Sequence, residues 1–275
     1  MIQEIAPKKF DNAYHPVPAR PEDILLCYDG QNILLRKEGD SIVYPSVAEA
    51  GMEENPYLFA VDDERFYLGN KTQAENLLQR GYRWEDTRIL RHAEPKYLRF
   101  AGITGWQLHG WYESRRFCGR CGNPMIPDEN ERMMRCPECG QMEFPKICPA
   151  VIIGVTDKGR ILMSKYAGRE YRAYALLAGF CEVGETIEET VQREVMEEVG
   201  LKVKNITYYK SQPWSFSDTL LLGFFCELDG PDEIHLDEQE LSLAEWVRRE
   251  EIEAEPDDLS LTNEMMLAFK NGDIL

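Results

Sequence analysis

The sequence predicts an α/β (α+β) protein of more than one domain, and three observations carry that expectation. Short strand-like runs alternate with turns and helical runs along the chain. Two Cys-x2-Cys pairs mark a small separate unit over residues 116–142. The stretch "GFCEVGETIEETVQREVMEEVGL", residues 179–201, reads as a capped and strongly acidic helix fed by a strand. A chain of 275 residues with 43% hydrophobic residues can bury a sizeable core, and its length suits one large or two modest domains plus a small insert.

In the first part, "DILLCYDGQNILLR" reads as a hairpin about Asp29-Gly30 and "PYLFAVDDERFYLG" as another about Asp62-Asp63, because apolar runs flank turn-forming residues. Helical periodicity follows in "TQAENLLQR" and in "AEPKYLRFAGITGWQLHGWYESRRF", which ends at the first cysteine of the pairs. Residues 1–115 are expected to form an N-terminal α/β domain; no catalytic pattern occurs there, so a structural role is expected.

Next come Cys118-Gly119-Arg120-Cys121 and Cys136-Pro137-Glu138-Cys139, fourteen residues apart and each followed by Gly. This is the pattern of a four-thiolate structural zinc site, one ion per chain, in which glycine turns let backbone amides approach the sulfurs. The alternative, two disulfides, requires an oxidising compartment. Cys27, Cys148, Cys181 and Cys226 lie in apolar or motif segments and read as small core residues rather than ligands or nucleophiles.

From residue 143 onward the chain reads as strand, turn at Asp157 to Gly159, strand, then "AYALLAGF" as a strand leading into the acidic helix. Strands "VKNITYYKSQPW" and "TLLLGFFCELD" follow, then a carboxylate-rich loop and helical segments around "LAEWVRRE" and "TNEMMLAFKNG".

Within the acidic helix, Thr186 and Glu189 make a capping-box pair and Gly200 stands where a C-terminal cap belongs, so the helix should run from about Thr186 to Val199. At roughly 100° per residue, Ile187, Val191, Val195 and Val199 form an apolar stripe. Glu194, Glu197 and Glu198 share a face beside it, whereas a merely solvated charge run would lie opposite. Carboxylates about 6 Å apart repel by roughly 2–3 kcal/mol at an effective dielectric near 20, which calls for positive charge among them. Arg193 reaches Glu189 and Glu197 at i±4 but is expected to point outward, and hard oxygen donors with positions left for water and phosphate suit Mg²⁺ or Mn²⁺.

Gly179, five residues, Glu185, seven residues and then Arg193-Glu194-Val195-Met196-Glu197-Glu198-Val199-Gly200-Leu201 match every fixed position of the Nudix box, G-x5-E-x7-R-E-U-x-E-E-x-G-U with U aliphatic. The chain therefore resembles the Nudix hydrolases, which cleave the pyrophosphate of a nucleoside diphosphate linked to another group. "SQPWSFSDT", residues 211–219, is similar to the S-Q-P-W-P-F-P-x-S array that accompanies the box in NADH pyrophosphatases. Ser211, Gln212, Pro213, Trp214 and Phe216 match, Ser215 and Ser217 replace two prolines, and Thr219 replaces a serine while keeping its hydroxyl. An N-terminal domain, a four-Cys ribbon and a catalytic domain also follow one another in a subgroup of that family. The resemblance implies a Nudix fold with a mixed sheet and box helix over residues 143–275, a Nudix-like N-terminal α/β domain, and a homodimer.

It further implies roles. Glu194, Glu197 and Glu198 would hold the catalytic Mg²⁺ or Mn²⁺, with Glu198 doubling as base, while Gly179, Glu185 and Arg193 shape the loop and helix. Glu240 resembles a further family carboxylate near the metals, although Asp237, Glu238 and Glu245 crowd the same segment. Gln212, Trp214, Phe216 and Thr219 would contact substrate, as would Phe144, which stands where the family has Tyr, and Phe180. Core packing is the alternative for the two phenylalanines, and bracing of a subunit interface for Trp214. The implied reaction is hydrolysis of NADH or NAD⁺ to NMN(H) and AMP, with removal of an NAD cap from an RNA 5′ end as a further activity. A Nudix pyrophosphatase for ADP-ribose or other dinucleotides is the alternative within the class. A ligand-sensing Nudix-like binding protein is the alternative outside it, disfavoured because all box carboxylates are present.

Composition narrows the partners. With 49 acidic against 31 basic residues, a net charge of −18 opposes broad attraction to DNA or anionic lipid. The start "MIQEIAPKKF" has no apolar h-region and no run of about 18 apolar residues occurs, so a cytoplasmic location with no membrane partner is expected.

Overall fold

The computed structural model describes residues 1–168 and 173–274. Its contacts divide the chain into two units: Ile2–Lys146 with Ser215–Ser217, and Met1 with Ile147–Trp214 and Asp218–Leu275.

The first unit contains β1 (Phe10–Asp11), β2 (Ile24–Leu26), β3 (Tyr28–Asp29), β4 (Asn32–Glu38), β5 (Ser41–Val43), α1 (Val47–Ala50), β6 (Tyr57–Val61), β7 (Glu64–Leu68), α2 (Lys71–Gln79), β8 (Arg83–Asp86) and α3 (Lys96–Ser114). The hairpins β3/β4 and β6/β7 form where turn residues separate apolar runs. β6 and β7 lie in a sheet ordered β1-β6-β7-β2, and β3-β4-β5 carries β8 beside β4. Leu25, Leu34, Tyr57 and Tyr67 pack with Val47 and Ala50 of α1 and Ala74 and Leu77 of α2.

The ribbon adds β9 (Ile126–Pro127), β10 (Met134–Arg135) and β11 (Met142–Glu143) as a small antiparallel sheet. Arg132, near the tip of the ribbon, donates to Asn12 Oδ1 at 2.7 Å and to the carbonyl of Leu58, and Tyr14 donates to the carbonyl of Asp128 at 3.2 Å. These bonds tie the ribbon to the rest of its unit.

The second unit is built on β12 (Cys148–Asp157), β13 (Arg160–Tyr166), β14 (Leu177–Phe180), α4 (Ile187–Val199), β15 (Val203–Trp214), β16 (Thr219–Leu228), β17 (Leu241–Arg248) and α5 (Leu261–Asn271). The sheet runs β15-β16-β12-β13-β17, with β14 also on β12. It is mixed, because β12 and β16 are parallel and the other pairs antiparallel. Alternation along β12 sorts the core: Val151, Ile153 and Val155 cluster with Val191, Val195 and Val199 of α4, whereas Ile152 clusters with Met265, Met266 and Phe269 of α5. β12 thus reads as a continuous apolar run because both of its faces are covered.

One element departs from expectation. "LAEWVRRE" does not open a helix; Leu241–Arg248 is a strand paired antiparallel with β13, followed by a 3-10 turn at Arg249–Glu251. Pairing at the free edge of β13 overrides the helical propensity of its Leu, Ala, Glu and Arg residues. Among the described residues no helix is long and apolar enough to cross a membrane.

Candidate active site and zinc centre

The box occupies the end of β14, a short loop and α4. Thr186 Oγ1 accepts from the Glu189 amide while Glu189 Oε2 accepts from the Thr186 amide, so both ends of the capping box are made. Gly184 takes φ +94°, which turns the loop back before the cap. At the far end Gly200 adopts φ +70°, and the amides of His235 and Asp237 donate to the carbonyls of Val199 and Glu198 at 2.9 Å each. The loop after β16 thereby satisfies carbonyls that a helix C-terminus leaves open. His235 and Asp237 carry no sequence signal for this role, because backbone amides perform it.

Gly179 lies opposite Val151 in the β12/β14 ladder. A Cβ placed there would sit 1.8 Å from Glu194 Cδ, so only glycine lets this carboxylate lie against the strand. Gly179→Ala is therefore expected to displace Glu194. Overpacking costs about 1–3 kcal/mol, so a lower Tm and weaker divalent-cation binding should appear together in melts and titrations. Unchanged values of both would contradict this placement.

Arg193 does not point outward. Its Nε donates to Glu185 Oε1 at 2.5 Å, Nη2 to Glu185 Oε2 at 3.0 Å and to the Phe180 carbonyl at 2.9 Å, and Nη1 reaches both Glu194 Oε1 at 2.7 Å and Glu197 Oε2 at 2.9 Å. The expected Glu189 pairing is absent from these bonds, since Glu189 is used by the cap. Glu185 also accepts from the Glu182 amide and the Thr190 hydroxyl, and the Arg193 guanidinium above all holds its carboxyl down at about 2. The box arginine is thus a hub that locks the loop to the helix.

The carboxylates differ in surroundings. Glu194 and Glu198 are buried, 8% and 2% exposed, whereas the Glu197 side chain is 59% exposed. Burial raises the Glu194 carboxyl; Arg193 opposes the rise, and the charges of Glu197 and Glu240 add to it. Glu240 is therefore electrostatically coupled to the box. Of its acidic neighbours, Asp237 accepts from the Gln239 amide and Glu245 from the Tyr174 hydroxyl. Hard, partly desolvated oxygen donors that repel one another fit a divalent cation by donor chemistry. Among the described residues, however, only the cysteine quartet brings three or more metal-ligating side chains within 4.8 Å of one another.

Those four cysteines form two similar knuckles. The Cys118 and Cys136 amides donate to the carbonyls of Asn123 and Gln141, and Gly122 and Gly140, at φ +78° and +72°, donate back to the carbonyls of Cys118 and Cys136. The Cys118–Cys139 and Cys121–Cys136 sulfurs are 3.6 and 3.5 Å apart, beyond a disulfide bond and suited to the edges of a tetrahedron of Zn–S bonds near 2.3 Å. Amide donors from Asn123 push the Cys121 thiol down to about 6, toward the ligating thiolate. The quartet fits a structural zinc ion. By contrast, burial pushes the Cys27 and Cys226 thiols up to about 12, and Cys148 and Cys181 are half-buried.

The remaining expected contacts separate. Phe144 and Phe180 are 54% and 55% exposed, so neither ring is spent in a core. Gln212 is fully buried: its amide nitrogen donates to the Leu259 carbonyl at 2.8 Å and its oxygen accepts from the Leu261 amide at 2.7 Å. Both ends of the Gln212 amide thus bind backbone at and just before the start of α5. Thr219 is buried at the start of β16, opposite the half-buried Trp214, and Phe216 lies under the Arg91 guanidinium.

Residues 146–267 match the family model described as the NUDIX domain, and residues 113–144 match that of the NADH pyrophosphatase zinc ribbon domain. A relative named NAD-capped RNA hydrolase NudC, from Salmonella heidelberg (strain SL476), is 43% identical over 148 residues, covering 54% of this chain and 57% of that protein. The protein of the same name from Salmonella schwarzengrund (strain CVM19633) gives the same figures. The chain thus spans about half the length of the curated relatives it matches. A crystal structure of a NUDIX hydrolase from Nitrosomonas europaea aligns with a TM-score of 0.49 at 21% identity, over 57% of this chain and 91% of that one. With the two matched in chain order, the chain carries an NADH pyrophosphatase zinc ribbon domain followed by a NUDIX domain.

Proposed function

We propose that this protein hydrolyses the pyrophosphate of NADH or NAD⁺ to NMN(H) and AMP and also removes NAD caps from RNA. The observation that carries the reading is a complete set of box carboxylates in a chain whose ribbon matches that of NADH pyrophosphatases. The name of the Salmonella relatives supports the RNA activity. Glu194, Glu197, Glu198 and Glu240 would hold Mg²⁺ or Mn²⁺, which when bound neutralises the pyrophosphate and lowers the pKa of the attacking water. Glu198, buried on α4, takes the proton from that water. Arg193 orients Glu194 and Glu197, Glu185 holds Arg193, and Gly179 gives Glu194 its place against β14.

The reading takes residues 1–115, 116–142 and 143–275 as N-terminal domain, ribbon and catalytic domain of a cytoplasmic homodimer that binds neither DNA nor membrane. Ser215 and Ser217, standing in place of the family's prolines, favour a second reading with wider choice, including ADP-ribose and other dinucleotides.

Substrate choice is tested through Phe144, whose exposed ring is available to stack on a base. Stacking contributes about 1–3 kcal/mol per base, so Phe144→Ala is expected to lower kcat/KM for NADH roughly ten- to hundredfold, with Phe144→Tyr retaining it. Equal losses on NADH and a simple nucleoside diphosphate, with a lower Tm, would place the base contact elsewhere.

A further inference from the structure

Thr190 falls among the seven residues that the box leaves free between Glu185 and Arg193, and it is 0% exposed. Arg193, Glu194 and Glu197 follow it on α4 at i+3, i+4 and i+7, so the four share one face of the helix. Its hydroxyl lies 2.9 Å from Glu185 Oε2 and 3.1 Å from the Thr186 carbonyl. A hydroxyl has one hydrogen to give. The Thr186 carbonyl already accepts from the Thr190 amide at 3.0 Å, and a carboxylate is the stronger acceptor, so the hydrogen goes to Glu185.

Glu185 Oε2 also accepts from the Glu182 amide at 3.1 Å and from Arg193 Nη2 at 3.0 Å. Those donors sit on a loop and at the end of a long side chain rich in rotamers, whereas the Thr190 hydroxyl is fixed to a buried turn of helix. Glu185 Oε1 in turn takes Arg193 Nε at 2.5 Å, and Arg193 Nη1 bridges Glu194 and Glu197. We propose that Thr190 is a positioning residue of the cation site: its hydroxyl fixes the Glu185 carboxylate, Glu185 fixes Arg193, and Arg193 sets the places of Glu194 and Glu197. This inference rests on reading those box carboxylates as the holders of a divalent cation. Thr190 acts only through Glu185 and Arg193, in the way that outer partners of a metal site orient its ligands.

The test uses the full-length zinc-loaded protein without substrate, with Thr190→Val removing the hydroxyl at unchanged shape and Thr190→Ser keeping it. Two quantities are read: affinity for Mn²⁺, from the paramagnetic signal of the free ion, and hydrogen exchange at Arg193 Nε by NMR, its signal assigned by its loss in Arg193→Lys. Thr190→Val is expected to weaken Mn²⁺ binding roughly tenfold, the low end for removing an outer partner of a metal site, and to speed exchange at Arg193 Nε. Thr190→Ser should stay near the parent in both. A merely structural role would lower the Tm of Thr190→Val and leave both readings alone. Unchanged Mn²⁺ affinity or unchanged exchange in Thr190→Val, or equal losses in Thr190→Ser, would overturn the proposal while the cation reading stands. A parent that binds no Mn²⁺ would overturn the cation reading and this proposal with it. Should Thr190→Val fail to fold, Thr190→Ala is compared with Thr190→Ser on the same two readings and the same outcomes decide.

Discussion

Glu198→Gln is expected to lower kcat at least roughly a hundredfold, about 3 kcal/mol of transition-state stabilisation, while the protein keeps its fold. The substitution preserves side-chain size on a helix held by its capping box, its Gly200 cap and the buried Val191, Val195 and Val199. What it removes is a carboxylate, 2% exposed on the box face, that in the proposed mechanism both holds a divalent cation and accepts a proton from water. The variant should melt near the parent temperature and bind Mn²⁺ more weakly by titration. Near-normal kcat with an unchanged metal optimum would remove Glu198 from the mechanism.

The second large effect is on stability. Cys118→Ser is expected to abolish stoichiometric zinc, measured by elemental analysis, and to lower the Tm of the first unit. Structural zinc contributes about 10–16 kcal/mol of apparent binding free energy in zinc-finger peptides, against about 5–15 kcal/mol of total stability for a typical protein. A ribbon of two-residue strands cannot replace that with its own core. The loss should spread, because Arg132 and Asp128 of the ribbon bond to Asn12, Leu58 and Tyr14 in the same unit. A purified parent without zinc, or a variant that melts with the parent, would contradict the ribbon assignment.

These expectations differ in how far the sequence carries them. The helix of the box is legible because its signals are local: Thr186, Glu189 and Gly200 specify its ends within fourteen residues of one another. The ribbon is legible because four cysteines at fixed spacing have few other uses. β17 is not, because Leu243, Ala244, Trp246 and Val247 suit a helix as well as a strand until β13 offers an edge. Arg193 was legible only to its i±4 neighbours, whereas Glu185, eight residues back, is brought to it by the turn at Gly184. Gln212 shows the same limit at longer range: its partners Leu259 and Leu261 lie 47 and 49 residues away, and no local spacing points to them.

The central claim is that the box carboxylates serve pyrophosphate hydrolysis of a nicotinamide dinucleotide, and product analysis tests it most directly. Purified protein is given NADH, NAD⁺, ADP-ribose, dinucleoside polyphosphates and NAD-capped RNA in parallel, with Mg²⁺ and with Mn²⁺, and the products are separated and weighed by mass spectrometry. The account predicts NMNH and AMP in equal amounts from NADH, an NMN and a 5′-monophosphate RNA from the capped transcript, and loss of both reactions in Glu198→Gln. Release of free nicotinamide with an intact ADP-ribose, or turnover of the other dinucleotides with none of NADH or NAD⁺, would contradict it.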